Sequence, residues 1–149
     1  MEIGLKYGAT KQYLKLDADQ GRVVVVAPKR TAPAGEEADL IRSALANPIG
    51  IPRLSQLVRP GCRVVVATSD ITRPCPSARL LPPLLEELNR SGIPDGDITV
   101  VFGLGIHRGH TAEERERLVG SEVYRRVRCV DPDPMDVVQV GTTRRGTPV

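Results

Sequence analysis

Between residues 63 and 120 the chain runs twice through the same order: a short β-branched run, a polar loop, then a segment patterned as a helix. In the first pass Arg63-Val64-Val65-Val66-Ala67 leads through Thr68 to Pro76 into Leu80, Leu81, Leu84, Leu85 and Leu88, an apolar stripe at helical spacing. In the second, Asp97-Ile98-Thr99-Val100-Val101-Phe102 leads through Gly103 to His110 into Thr111-Ala112-Glu113-Glu114, a capping box that opens a helix. Two consecutive units of this kind predict parallel strands joined by right-handed crossovers. The run Val64 to Ala67 reads as a strand buried on both faces, and so as central. The expected fold is therefore α/β, a three-layer arrangement around a mainly parallel sheet.

The flanking segments add elements to this frame. Loose alternation from Ile3 to Tyr7, a break at Gly8 and renewed alternation from Gln12 to Leu16 predict an N-terminal β-hairpin, which could pair at the sheet edge or form its own small layer. Val23 to Val26 reads as a third strand, and Pro28, Pro33 and Gly35 as a loop. Leu40, Ile41, Ala44 and Leu45 share one face of a helix over Glu36 to Ala46, ended by Asn47-Pro48; a short helix or turn follows at Leu54 to Val58. Ser77 is placed to cap the leucine-rich helix and Ser91-Gly92 to close it, while Pro82 and Pro83 imply either a late start or a kink. Arg126 to Val130 and Val137 to Val140 are further candidate strands, and Arg145-Gly146 is a turn signal.

Composition excludes several classes of function. With no Trp and one Phe, the core must come from Val, Leu, Ile and Ala, and 149 residues make one domain the default. No apolar run approaches the roughly 20 residues that span a bilayer, and the start Met1 to Lys6 has no secretory pattern, so a cytoplasmic protein without a membrane partner is expected. Cys62, Cys75 and Cys129 are odd in number and unpaired by any C-x-x-C spacing, which argues against a disulfide framework or a zinc site. The net charge of +3 comes from Arg scattered along the chain, with local clusters at Arg125, Arg126 and Arg128 and at Arg144 and Arg145. Without aromatic residues among them these clusters read as solvated surface, not as a nucleic-acid footprint.

Chemistry is expected at the two loops that follow the buried strands, since ligands of open parallel sheets sit outside the strands' carboxyl ends. If the strands are neighbours, the loops open into one crevice and bring Asp70 and Arg73 near His107 and Arg108. Arg73 suits a carboxylate or phosphate through paired, charge-assisted hydrogen bonds, or else pairs with Asp70 three residues earlier. Asp70 could orient Arg73 or a ligand hydroxyl, or make a local turn; Ser69 and Thr72 offer hydroxyls to a ligand or to the loop itself. His107, near the strand end, is the acid–base candidate, and His110 reads as an exposed bystander. Gly103-Leu104-Gly105 lacks the third glycine of a dinucleotide signature and reads as a tight turn, and Cys75 as a small apolar filler.

Ser69-Asp70-Ile71-Thr72-Arg73-Pro74-Cys75-Pro76-Ser77, followed by Gly105-Ile106-His107-Arg108, resembles the paired motifs of the nickel-pincer lactate racemase family. Asn47 to Gly50 and the Thr111 to Glu114 helix start are similar as well. The resemblance implies an isomerase that interconverts stereoisomers of a 2-hydroxy acid with a nickel-pincer nucleotide, by taking a hydride from the substrate carbon and returning it to either face. It implies that Arg73 binds the substrate carboxylate with Arg108 beside it, that Asp70, Thr72 and Arg73 lie at the cofactor, and that His107 is one of two acid–base histidines. No metal ligand is assigned to these residues.

The second histidine, the lysine that tethers the cofactor and the nickel ligand belong, in that family, to a later part of the chain. Residues 1–149 are accordingly expected to be a truncated N-terminal α/β domain, inactive alone, whose partners are a small 2-hydroxy acid and the C-terminal domain of the same protein. Ile71 and Gly109-His110 depart from the family pattern, so the substrate need not be lactate. The rival readings are a non-catalytic module that binds an anion or nucleotide with the same loops, and an interaction domain that uses the basic C-terminal surface.

Overall fold

The computed structural model describes residues 1–17, 21–26, 32, 35–73 and 75–149. The chain divides into two compact units, Met1–Pro33 and Ala34–Val149. No helix among the described residues is long and apolar enough to cross a membrane.

The first unit is the expected hairpin. Strand β1 (Glu2–Tyr7) pairs antiparallel with β2 (Thr10–Lys15), in register from Glu2 opposite Lys15 to Tyr7 opposite Thr10. Gly8 opens the two-residue turn with a φ of 58°, a positive value at the first central position that an L side chain resists. The strand expected at Val23 to Val26 does not form: these residues are irregular and exposed. β-Branched side chains favour extended backbone, but a strand exists only where a neighbour takes up its N–H and C=O groups. Pro28 and Pro33 lie outside the described residues.

The second unit carries the α/β fold. Helices α1 (Glu37–Ala46) and α2 (Leu54–Leu57) precede strand β3 (Val64–Ser69), helix α3 (Ser77–Arg90), strand β4 (Ile98–Gly103), helices α4 (Ala112–Val119) and α5 (Ser121–Arg126), and strand β5 (Arg128–Val130). The three strands form one parallel sheet in the order β3-β4-β5, with Val64 beside Ile98 and Thr99 beside Arg128. Ile98, Val100 and Phe102 alternate inward along β4 and meet Leu81, Leu85 and Leu88 of α3, Val119 of α4 and Val123 of α5 in one fully buried cluster. Of the three expected layers, the sheet and this helical layer make up the core; the opposite face of β3 is open, with Val65 66% exposed. The central strand is therefore β4, and β3 is an edge, contrary to the expectation for Val64 to Ala67. A short β-branched run reports a strand but not its place in the sheet.

Helix α3 starts before its two prolines and runs through them, which excludes the late start. Without N–H groups at 82 and 83, the carbonyls of Ala78 and Arg79 lose their helical partners. Its N-cap is Pro76, with no side-chain cap, because the Ser77 hydroxyl is shared with the Thr68 hydroxyl (2.5 Å) instead. That bond ties the helix start to the end of β3. At the other end Gly92 has a φ of 84°, and a Cβ there would stand 2.8 Å from the Pro60 ring. Of the last two candidate strands, the first forms as β5 over Arg128–Val130, with Arg126 ending α5 and Val127 as its C-cap, and Val137 to Val140 is irregular and exposed. Val140 and Gly141 bond instead to Val149 around the Arg144 to Gly146 turn, closed by a bridge between Thr142 and Pro148.

Candidate functional site

Parallel pairing of β3 and β4 places the ends of both strands at one edge of the sheet, Ser69 beside Gly103. The loops that leave there meet, as expected from their positions. Asp70, the first residue after β3, is 2% exposed, and its Oδ2 lies 2.5 Å from Nδ1 of His107. An ionised carboxylate only accepts, so Nδ1 carries the proton and Nε2 is left as the basic nitrogen. The His107 side chain is 46% exposed, and Nε2 has no hydrogen-bond partner among the described residues. Thr72 donates its hydroxyl to the other carboxylate oxygen, Oδ1, at 2.8 Å. These bonds, His107 first, hold the Asp70 carboxyl below its ordinary range although burial pushes the other way.

His107 is aimed by its own loop. Its backbone N–H donates to the Leu104 carbonyl (3.0 Å), closing a turn in which Gly105 has a φ of 57° and Leu104 is buried beneath. The glycine pair thus serves the tight turn its spacing suggested.

Arg73 occupies the turn after Asp70, its backbone N–H bonded to the Asp70 carbonyl at 3.2 Å. Its side chain is exposed, and the pairing with Asp70 is not made: that carboxylate is taken by His107 and Thr72. Among the described residues no ion pair engages Arg73, which leaves its guanidinium available to an anion. Arg108, expected beside it at the substrate, is turned elsewhere: both terminal nitrogens bond Glu114, at 2.8 and 2.7 Å, and one also bonds the Gly109 carbonyl. Glu114 belongs to the capping box, exchanging bonds with the Thr111 amide and hydroxyl, and Arg108 holds its carboxyl down to about 2. Arg108 therefore fastens the loop to α4. Asp70 and Thr72, expected at the cofactor, spend their polar atoms on His107 and on each other.

His110 is not the exposed bystander expected. Its side chain is 1% exposed, edge-on to Phe102 with ring centroids 5.0 Å apart, and bonded through Nδ1 to Asp131 at 2.7 Å. Asp131 follows β5, so the third strand also sends a carboxylate to this edge. Its position directly after a strand was the available signal, obscured by the proline-rich run Asp131 to Pro134. Cys75 is a half-buried free thiol. Among the described residues no group of three His, Cys, Asp or Glu side chains is placed to hold a metal ion.

The end of the parallel sheet thus carries a bonded carboxylate–histidine pair, with an arginine in the turn after the carboxylate that no ion pair engages among the described residues. The sequence profile described as Lactate racemase N-terminal domain matches residues 7–149. The chain is 37% identical over 87 residues to a lactate racemase of Thermoanaerobacterium thermosaccharolyticum, covering 58% of this chain and 20% of that protein. It is 34% identical over 113 residues to a lactate racemase of Lactiplantibacillus plantarum, covering 74% of this chain and 26% of that protein. The chain thus spans about a fifth to a quarter of these relatives. The solved lactate racemase apoprotein from Thermoanaerobacterium thermosaccharolyticum superposes on 99% of this chain and 34% of its own, with a TM-score of 0.79 and 27% identity. With the profile match running over nearly the whole length, the chain belongs to the lactate racemase N-terminal domain family.

Proposed function

We propose that this chain is the substrate-binding and proton-handling part of an isomerase that racemises or epimerises a 2-hydroxy acid of the lactate type. The observation that carries the reading is the Asp70–His107 hydrogen bond, which favours one tautomer and leaves Nε2 of a half-exposed ring without a partner among the described residues. In this scheme Arg73 binds the substrate carboxylate, and Nε2 of His107 accepts the 2-hydroxyl proton. Asp70 balances the imidazolium that forms, much as a buried carboxylate does in other histidine-based sites. A nickel-pincer nucleotide, when bound, would supply the acceptor for the hydride leaving the same carbon, giving a 2-oxo acid. The exposed Arg73, with the Thr72 backbone beside it, suits the anionic groups of such a nucleotide; the metal would need ligands from outside the described residues. Return of the hydride to the opposite face requires a second acid–base group, which the reading assigns to a C-terminal domain of the same protein. A module that merely binds anions would leave the paired histidine without a task.

The test is kinetic. In the complete racemase, Arg73→Ala should raise KM strongly and cost roughly 2 to 5 kcal/mol in kcat/KM, because the carboxylate's charge-assisted bonds are lost. His107→Ala should act mainly on kcat. Residues 1–149 alone should neither exchange lactate isomers nor bind nickel tightly; appreciable turnover or stoichiometric nickel binding by this chain would refute the division of labour.

A further inference from the structure

The loop after β4 holds two histidines with matching bonds and opposite surroundings. Each gives Nδ1 to an aspartate, His107 to Asp70 and His110 to Asp131. The Nε2 of the half-exposed His107 bonds nothing among the described residues, whereas the Nε2 of His110 lies 3.1 Å from the backbone nitrogen of Ile71. A backbone N–H can only donate, so Nε2 of His110 is the acceptor and its ring is neutral, with the proton on Nδ1. The Asp131 carboxylate secures the ring further by accepting the His110 backbone N–H on Oδ2 at 2.8 Å. Arg115 of α4 stands 3.8 Å from that same oxygen, and Glu114, occupied by Arg108, is a further charged neighbour. Phe102, fully buried in β4, supports the ring from the core side.

One imidazole therefore joins the segments that follow all three strands. The position it grips matters more than the number of bonds: Ile71 is the residue directly after Asp70, so the accepted N–H belongs to the Asp70–Ile71 peptide itself. We infer that His110 is a positioning residue for His107. By holding that peptide through Nε2, it sets the direction in which the Asp70 carboxylate leaves the backbone, and so keeps His107 in the tautomer with a basic Nε2. The role in catalysis rests on the reading of His107 as the acid–base group; the coupling between the two histidines does not.

Ring-nitrogen NMR of the chain labelled with 15N-histidine tests this, together with hydrogen exchange at the Ile71 amide. In the unaltered chain both histidines should show the Nδ1–H tautomer, and the Ile71 amide should exchange more slowly than exposed loop amides. His110→Gln places a carbonyl oxygen near the former Nε2 and should preserve the His107 tautomer. His110→Asn can still reach Asp131 but leaves Ile71 without its acceptor. It should mix the His107 tautomers and speed Ile71 exchange roughly 3- to 10-fold, the scale of one net hydrogen bond. An unchanged His107 in the Asn variant, or equal loss in both variants, would overturn the inference, the second result pointing to packing alone. Should the Asn variant not fold, an unprotected Ile71 amide in the unaltered chain overturns it by itself, and a protected one together with a Gln variant that keeps the tautomer upholds it. None of these readouts requires turnover, so failure here and failure of the racemase reading are distinguishable.

Discussion

Replacing Asp70 with Asn removes one charge and almost no volume, and the surroundings decide what that does. The Thr72 hydroxyl donates to one carboxylate oxygen, and the Thr72 backbone also helps hold the Asp70 carboxyl down. Both favour an oxygen on their side. The Asn amide should therefore keep its carbonyl toward Thr72 and turn its NH2 toward His107, where the carboxylate had accepted. Facing a donor, Nδ1 must become the acceptor, which moves the ring proton to Nε2 and removes the base from the side open to ligand. General-base catalysis contributes about 10²- to 10⁴-fold, so, if the complete protein is the proposed racemase, its kcat should fall on that order while KM for the hydroxy acid changes little. Isomer exchange followed by polarimetry gives the rates, and ring-nitrogen NMR of the isolated chain gives the tautomer. If Asp70→Asn keeps His107 as Nδ1–H, or flips it without loss of kcat, the argument from the dyad fails.

Further expectations concern the frame around the site. Thr111→Ala removes the hydroxyl that accepts from the Glu114 amide and should cost about 1 kcal/mol by denaturant unfolding; an unchanged midpoint would mean that Arg108 holds Glu114 without the cap. Glu114 has its folded pKa depressed from 4.5 to about 2, and Asp70 is lowered too, so both stabilise the fold above their unfolded values. That contribution should fade as pH falls from about 4.5 towards about 2, seen as a declining thermal midpoint whose slope is shallower in Glu114→Gln.

Where the sequence alone succeeded and failed follows from what each feature depends on. Val23 to Val26 is more β-branched than Val64 to Ala67, yet only the second is a strand, since it alone finds a partner, in Ile98 to Val101. Local chemistry was readable: the Thr111–Glu114 box, the Gly8 and Gly105 turns and the Ser91-Gly92 helix end all involve groups a few residues apart. The meeting of Asp70 with His107 was also accessible, because strand order and the position of loops after strands suffice to bring them together. Which partner each polar group takes was not. Arg73 or His107 for Asp70, and substrate or Glu114 for Arg108, are choices between contacts of similar chemistry, decided by backbone direction. His110 was misjudged for the same reason, its partners Asp131 and Ile71 lying 21 and 39 residues away.

The loop after β4 is fastened at its entry by the Leu104–His107 turn, midway by Arg108 on Glu114, and at its exit by His110 on Asp131. Three anchors within seven residues leave it few alternative conformations to surrender. Ordering a flexible side chain or loop on binding commonly costs about 0.5 to 1.5 kcal/mol per immobilised group, and here much of that ordering is already done during folding. A small acid with few atoms gains little contact energy, so it is poorly placed to order its own site. Under the proposed reading, preorganisation would let the binding energy of such a ligand go into its orientation over Nε2 of His107, and any substitution that loosens an anchor should weaken small ligands more than large ones.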